Sequence, residues 1–180
     1  MGTRTDEDDA ASRLAVLHQY FREHPVTGPV EGHRTTTEAG TPLNLSTHDH
    51  ITASVHEVTD HTRAVNPDAG PAPATVDAVY DWCREHTAHA PEEARLRLAV
   101  IERRHYLEHS LRAGDRLVIR KERCPKCRTF GLEWLRSDQR AICTNRRCTA
   151  RDGASRRFTV AHLAHAWVMS QETFRQARAT

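Results

Sequence analysis

Apolar residues in the first 112 positions recur at helical spacing in four stretches, which predicts four amphipathic helices. The first stretch runs from Ala10 to His24. Asp8 and Asp9 can cap the exposed N–H groups at its start, and Pro25 ends it. The remaining helices follow two interruptions of the pattern by proline and glycine.

Residues 25–42 hold three Gly and three Pro without periodicity, which predicts a long loop. The second helix is predicted to begin at Ser46. The third spans residues 76–83, and the fourth runs from Pro91 to about residue 112. The first 112 residues therefore predict a small helical bundle.

After the fourth helix the pattern changes to short runs typical of β-strands. These runs cover residues 117–120, 130–135 and 140–143. A four-residue turn joins the last two, so we expect a β-hairpin there. A final helical stretch begins at Thr159.

Four of the five cysteines form a C-x2-C pair and a C-x4-C pair separated by fifteen residues. Each pair can present two sulfurs to one ion, and the hairpin brings the pairs together, as in tetrahedral zinc sites. Metal-free thiols and a redox-active CxxC are the alternatives, although no βαβ pattern surrounds this CxxC. Four protein ligands leave no open position, so we expect a structural metal without catalysis. The predicted ligands of one Zn²⁺ are Cys124, Cys127, Cys143 and Cys148.

Residues 116–160 resemble the zinc ribbon. The segment CPKC matches the first knuckle of that family, whereas the usual second C-x2-C is here the wider pair Cys143 and Cys148. The resemblance implies a β-hairpin whose two knuckles bind one metal ion. The predicted fold class is therefore α+β, with a helical bundle at 1–112, a zinc ribbon at 113–158 and a C-terminal helix or helix-turn-helix at 159–180.

The C-terminal segment is compatible with two structures. A turn at Val168 and Met169, followed by a helix capped by Ser170, resembles the helix-turn-helix of DNA-binding proteins. Val168 stands where that motif usually has Gly, so we favour a single helix packed on the bundle or the ribbon. Its apolar stripe would be Val160, Leu163, Trp167 and Phe174.

Charge is unevenly distributed, although the net charge is only +2. Residues 1–111 carry 10 Arg against 18 Asp and Glu, whereas residues 112–180 carry 16 Lys and Arg against 6 Asp and Glu. The basic part predicts a surface for DNA or RNA. The alternative is that the acidic part packs against it. The residues expected to face phosphates are Arg120, Lys121, Arg123, Lys126, Arg128, Arg146, Arg147, Arg156 and Arg157.

The second helix is rich in histidine. His56 and Glu57 begin a segment similar to the HExxH zinc motif, but the next histidine, His61, falls at i+5 rather than i+4. We interpret His48, His50, His56 and His61 as a solvated polar face, with a metal or hydrolytic site as the less favoured alternative. Cys83, on the apolar side of the third helix, is interpreted as a core residue.

The chain contains no apolar run near the ~18 residues of a membrane span. Its acidic start lacks the apolar core of a secretory signal, so we expect a cytoplasmic protein with reduced thiols and no membrane partner.

The whole chain resembles small proteins of actinobacteria and their phages, through the segments GTPLNLSTHD, RLVIRKERCPKC, AICTNRRC and FTVAHLAHAW. This resemblance implies an architecture and an origin but no activity. Our leading hypothesis is a non-enzymatic zinc-ribbon protein that binds nucleic acid, such as a transcriptional regulator. The second is a protein–protein interaction or phage assembly module that docks through the acidic helical region. An enzyme using the second-helix histidines is the third.

Overall fold

A computed structural model describes residues 9–23 and 45–179 of the chain. The predicted loop at 25–42 and the capping residue Asp8 lie outside them. Within the described part the architecture is α+β, as predicted. The elements are α1 (Ala10–Glu23), α2 (Leu45–Val65), α3 (Ala78–His86), α4 (Glu92–Arg112), α5 (Leu117–Arg120), β1 (Leu132–Leu135), β2 (Arg140–Cys143), β3 (Arg157–Phe158) and α6 (Val160–Ala179).

Helix α4 is the central element, because α1, α2 and α6 all pack against it. Glu92 and Glu93 occupy its first turn, where carboxylates favour the positive end of the helix dipole. Gly114, at φ 88°, follows its C-terminus. The helix buries polar side chains as well as leucine and isoleucine, among them Glu102 and His105.

Three antiparallel strands in the order β1-β2-β3 form the sheet. The predicted hairpin is confirmed, with Leu132 opposite Cys143 and Leu135 opposite Arg140. The short strand β3 adds to β2 by pairing Phe158 with Ala141. Leu132, Ala141 and Phe158 are buried, so one side of this small sheet joins the core.

The predicted strand at 117–120 is wrong, because these residues form the single helical turn α5. Asp115 Oδ1 accepts a hydrogen bond from the backbone N–H of Leu117 at 3.0 Å, which favours the turn. Val118 and Ile119 are both buried. A strand would direct these neighbouring side chains to opposite faces, whereas one turn packed near α4 buries both.

The helix-turn-helix alternative is also wrong, because α6 is continuous from Val160 to Ala179. Val168 is buried within it, and the hydroxyl of Ser170 donates to the carbonyl of Trp167 inside the helix at 2.7 Å. A β-branched residue disfavours the left-handed turn that the motif needs. The predicted stripe holds for Val160 and Leu163, but Phe174 is 69% exposed.

The predicted domain boundaries fall between α4 and α5 and between β3 and α6. One cluster of buried side chains nevertheless extends from the bundle into the ribbon, from Leu14 and Leu107 to Cys124 and Leu163. None of the helices in residues 9–23 and 45–179 is long and apolar enough to cross a membrane. The division of the chain into these three domains stays a prediction.

Candidate metal centre and its surroundings

The four cysteines of the ribbon meet at one point. The Sγ atoms of Cys124 and Cys148 lie 3.8 Å apart, and those of Cys127 and Cys143 lie 3.7 Å apart. All four sulfurs lie within 4.8 Å of one another. Sulfurs bound to one ion at about 2.3 Å in tetrahedral geometry are about 3.8 Å apart. The cluster therefore could hold one metal ion.

The first knuckle is closed by the backbone. The N–H of Cys124 donates to the carbonyl of Thr129, and the N–H of Arg128 donates to the carbonyl of Cys124, both at 2.9 Å. Arg128 takes a left-handed conformation with φ 61°. These bonds turn the chain so that Cys124 and Cys127 present their sulfurs to the same point.

The wider second knuckle reaches the same geometry through Asn145. Its side-chain oxygen accepts from the N–H of Arg147 at 3.0 Å, and its carbonyl accepts from the N–H of Cys148 at 2.8 Å. The carbonyl of Cys148 then accepts from Arg156 at 3.3 Å. The two additional residues of the C-x4-C pair are therefore taken up in a compact turn.

The thiol pKa values in the cluster are shifted in opposite directions. Burial raises the pKa of Cys143 to about 12 and also raises the pKa of Cys148. Hydrogen bonds from the side chain and backbone of Thr129 lower the pKa of Cys127 to about 6. Because thiolates rather than thiols are the metal ligands, a bound cation compensates for the burial of these sulfurs.

The nine predicted phosphate-facing residues are spread around this cluster. Eight are exposed, and Arg156 is half-buried. Arg120 pairs with Glu133, and Arg157 pairs with Asp138. Within residues 9–23 and 45–179, seven of the nine form no ion pair. These seven are Lys121, Arg123, Lys126, Arg128, Arg146, Arg147 and Arg156.

Four of them lie within two residues of Cys127 or Cys148 and are called the knuckle cations: Lys126, Arg128, Arg146 and Arg147. An exposed aromatic ring lies close by. The guanidinium of Arg123 lies 4.3 Å from the centre of the Phe130 ring, and Phe130 is 57% exposed. Cationic groups beside an accessible aromatic face are typical of single-strand nucleic acid surfaces.

The ion pairs between residues 1–111 and residues 112–180 do not join acidic side chains of the bundle to basic side chains of the C-terminal part. Two join the described residues of 1–111 to those of 112–180, namely Arg103 with Glu122 and Arg13 with Asp115. In both, the bundle supplies the cation and the basic part supplies the carboxylate. Packing of the acidic bundle therefore does not neutralise the basic region through these contacts.

The interpretation of the α2 histidines as one solvated face is wrong in part. His48 and His56 are exposed, but His61 is buried and His50 is half-buried. His50 Nε2 lies 3.1 Å from Nδ1 of His109 on α4. His56 and His61 therefore differ in exposure, unlike the paired ligands of an HExxH site.

Two buried histidines of α4, His105 and His109, were missed by the sequence patterns. Their i, i+4 spacing, which places both on one helix face, was the available indication. Both contact the hydroxyl of Tyr80, at 2.9 and 3.1 Å. The interpretation of Cys83 as a core residue is confirmed, because its side chain is fully buried and burial raises its pKa.

Comparisons of the chain with protein-family models, with curated proteins and with solved structures each found no match. The chemistry of its own residues is therefore what indicates its function.

Proposed function

We propose that the chain is a zinc-ribbon protein that binds nucleic acid through its basic C-terminal part. The observation that carries the proposal is the convergence of four sulfurs at tetrahedral spacing beneath basic side chains without carboxylate partners. An all-thiolate tetrahedral set favours Zn²⁺ over the harder cations. The zinc is structural, since four protein ligands complete its coordination.

The knuckle cations and Arg123 are the proposed phosphate contacts. Arginine binds phosphate oxygens in a bidentate manner, and side chains not held by carboxylates keep their donors for such contacts. Phe130 offers a face for an unpaired base. These features favour single-stranded DNA or RNA, with a regulatory role as one use of that binding. A protein–protein interaction module that docks through the acidic helical region, with a purely structural zinc, is the alternative that the binding experiment tests.

The zinc proposal is tested by metal analysis of the purified full-length chain. We expect about one zinc per chain. The double variant Cys124→Ser, Cys127→Ser should contain none, whereas the control Cys83→Ala should keep the full amount. Full metal content in the double variant would contradict the proposed ligand set.

Nucleic-acid binding is tested by salt titration with a single-stranded oligonucleotide. Affinity should fall as salt rises, with a logarithmic slope of about −0.7 for each phosphate contacted. Changing Lys126 and Arg128 to Gln should reduce the slope by about 1 to 2. The matched control changes the exposed Arg95 and Arg97 of α4 to Gln and should leave the slope unchanged. Absence of binding at low salt would favour the docking module instead.

A further inference from the structure

A cavity of about 780 Å³ lies between the helical bundle and the ribbon, away from the cysteine cluster. Its walls come from the first two turns of α2, the second half of α4, the β1–β2 hairpin and the first turn of α6. This volume is typical of small-molecule sites. Trp134 contributes a half-buried ring to the wall.

The charged side chains of the lining are mostly cationic. Arg104, Arg112 and Arg136 line the cavity, against the single lining carboxylate of Glu108. Arg104 is partly neutralised by Glu57, but Arg112 donates, within residues 9–23 and 45–179, only to the carbonyl and hydroxyl oxygens of Ser46, at 3.2 and 3.3 Å. Among the described residues Arg136 has no ion-pair partner. Two cationic groups therefore remain for an anion.

The start of α6 increases this preference for an anion. Val160 and Ala161 line the cavity, and Thr159 Oγ1 accepts from the N–H of His162 at 3.1 Å, which caps the helix. The positive end of the helix dipole therefore lies at the same cavity wall.

His50 lines this cavity and ends a continuous hydrogen-bonded chain. The chain passes from Glu57 to Nε2 of His105 at 3.1 Å and from Nδ1 of His105 to the hydroxyl of Tyr80 at 2.9 Å. It continues from that hydroxyl to Nε2 of His109 at 3.1 Å, and from Nδ1 of His109 to Nε2 of His50 at 3.1 Å.

The Glu57 carboxylate sets the donor-to-acceptor direction of these hydrogen bonds. A lone pair of His105 Nε2 would repel the Glu57 oxygen, so we assign the proton to Nε2, although Nη2 of Arg104 also lies 3.2 Å away. With Nδ1 of His105 as an acceptor, each group then donates toward Glu57. Burial lowers the pKa of His109 to about 2 and that of His50 to about 4, which keeps both neutral.

The last acceptor in this series of hydrogen bonds is Nδ1 of His50. No side chain or backbone group in residues 9–23 and 45–179 donates to it. The cavity therefore combines cationic groups, which attract an anion, with a lone pair, which requires a proton on the ligand.

We propose that this cavity binds a phosphate monoester group, with Arg112 and Arg136 on its oxygens and His50 Nδ1 accepting its P–O–H proton. The second pKa of such a group is about 6, so the protonated form is accessible near neutral pH. A fully ionised sulfate offers no proton and leaves the His50 lone pair unpaired. The site is separate from the proposed nucleic-acid surface and does not depend on it.

The test is a titration of the ¹⁵N-labelled full-length protein with inorganic phosphate and with sulfate at constant ionic strength. Inorganic phosphate keeps a P–O–H group at neutral pH. We expect saturable shifts of the backbone amide signals of Ser46, Thr47 and Ala161, with phosphate binding about tenfold more tightly than sulfate. Non-saturable shifts, or equal affinity for both anions, would overturn the proposal.

Variants separate the two parts of the site. Changing Arg112 and Arg136 to Gln should weaken phosphate binding about tenfold or more, whereas the Arg95 and Arg97 double variant should bind normally. His50→Phe should remove the preference for phosphate over sulfate while anion binding persists. Spectra with native dispersion identify folded variants. Unchanged phosphate affinity in a folded Arg112, Arg136 variant would exclude this cavity.

The imidazole nitrogens provide an independent measurement. Long-range ¹H–¹⁵N spectra should show His50 protonated at Nε2 and unprotonated at Nδ1 in the free protein. A proton on Nδ1 would reverse the chain and contradict the proposed role of His50.

The source of the phosphate group is identified with longer probes. A 5′-phosphorylated oligonucleotide that outcompetes adenosine monophosphate, while its 5′-hydroxyl form does not, assigns the site to a nucleic-acid end. Equal or tighter binding of adenosine monophosphate assigns it to a small phosphorylated molecule. Changing Lys126 and Arg128 to Gln should weaken oligonucleotide binding but not inorganic phosphate binding, which separates the two proposals.

Discussion

Gly131 is the residue at which the hairpin tolerates no side chain. Its φ is 115°, and its carbonyl accepts hydrogen bonds from the N–H and hydroxyl of Thr144 at 2.9 and 2.7 Å. A Cβ at this position would lie 2.8 Å from Thr144 Oγ1. Both backbone conformation and close approach therefore require glycine here.

Gly131→Ala should destabilise the folded chain by about 1 to 3 kcal/mol, because it combines backbone strain with a steric clash beside Cys143. Denaturant unfolding at saturating zinc measures the change. The matched control is Gly70→Ala, where the added Cβ meets nothing within 4 Å, and its effect should be small. Equal stability of the two variants would show that the hairpin adjusts without strain.

Arg103 links three elements through its planar guanidinium. It lies 4.6 Å from the ring centre of Tyr106 on α4 and 4.3 Å from that of Trp167 on α6, and it pairs with buried Glu122 after α5. Burial raises the pKa of Glu122, and the Arg103 charge opposes that increase. The carboxylate therefore depends on this arginine for its charge.

Arg103→Leu should reduce the free energy of unfolding by about 3 kcal/mol, because it leaves Glu122 buried without its cation. The double variant Arg103→Leu, Glu122→Leu should recover much of that loss. Chemical denaturation of the three proteins measures the coupling. If the double variant is no more stable than Arg103→Leu, the loss comes from packing on Trp167 and not from the isolated charge.

At the scale of elements, α4 shows what hydrophobic periodicity detects and what it omits. The pattern located the helix and its ends because apolar residues such as Leu107 and Leu111 recur at helical spacing and a proline followed by two acids marks its start. It did not mark Glu102, His105 and His109 as buried, because a polar side chain enters a core only when partners on other elements satisfy it. Those partners come from α2 and α3, distant in sequence.

The histidine chain makes folding sensitive to acid. His109 has a folded pKa of about 2 against an ordinary value of 6.5, so the unfolded chain binds its proton first as pH falls. The contribution of the neutral His109 to the free energy of unfolding is therefore complete well above pH 6.5. Below that pH it decreases, by about 1.4 kcal/mol per pH unit for each histidine whose pKa burial lowers in this way. The raised pKa of Glu122 acts in the opposite direction.

Urea unfolding between pH 7.5 and pH 5 measures this loss, which should reach about 1 to 2 kcal/mol per pH unit at the acid end. His109→Gln should make the pH dependence shallower, whatever its effect on stability at pH 7.5. Exposed His56→Gln serves as the control and should keep the steep dependence. A His109→Gln variant that follows the same pH dependence as the natural chain would argue against a neutral buried histidine.

At the scale of the whole molecule, the metal cluster belongs to the same core as the bundle. Cys124, Cys143 and Cys148 share one buried cluster with side chains of α1 and α4. A ribbon of this size buries too little apolar surface to fold without help, so a metal ion held by the four cysteines would contribute to its folding free energy. A metal ion in this cluster would therefore be coupled to the bundle through packing.

Removal of the metal by a strong chelator should lower the melting temperature of the helices as well as that of the ribbon. The physical reason is that a ligand bound only to the folded state stabilises every element that unfolds with it. Helical circular dichroism and tryptophan fluorescence should show the same transition. A helical transition that stays in place while the fluorescence transition disappears would mean that bundle and ribbon unfold separately.

Local patterns by themselves determined the bundle helices, the hairpin and the cysteine cluster. In each case neighbours within a few residues dominate the outcome: apolar spacing specifies a helix face, a turn joins two strands, and C-x2-C directs two sulfurs to one point. These interactions are short in sequence, so a pattern records them.

Only the tertiary structure decided the conformation of residues 117–120, the continuity of α6 and the position of the histidines. The helical conformation at Val118 and Val168 depends on the surface against which these side chains pack, and α4 supplies much of that surface. His50 meets His109 across 59 positions of sequence, and Arg112 and Arg136 reach one cavity from a helix and a hairpin. Burial and charge pairing between distant segments depend on the folded arrangement, which no local pattern contains.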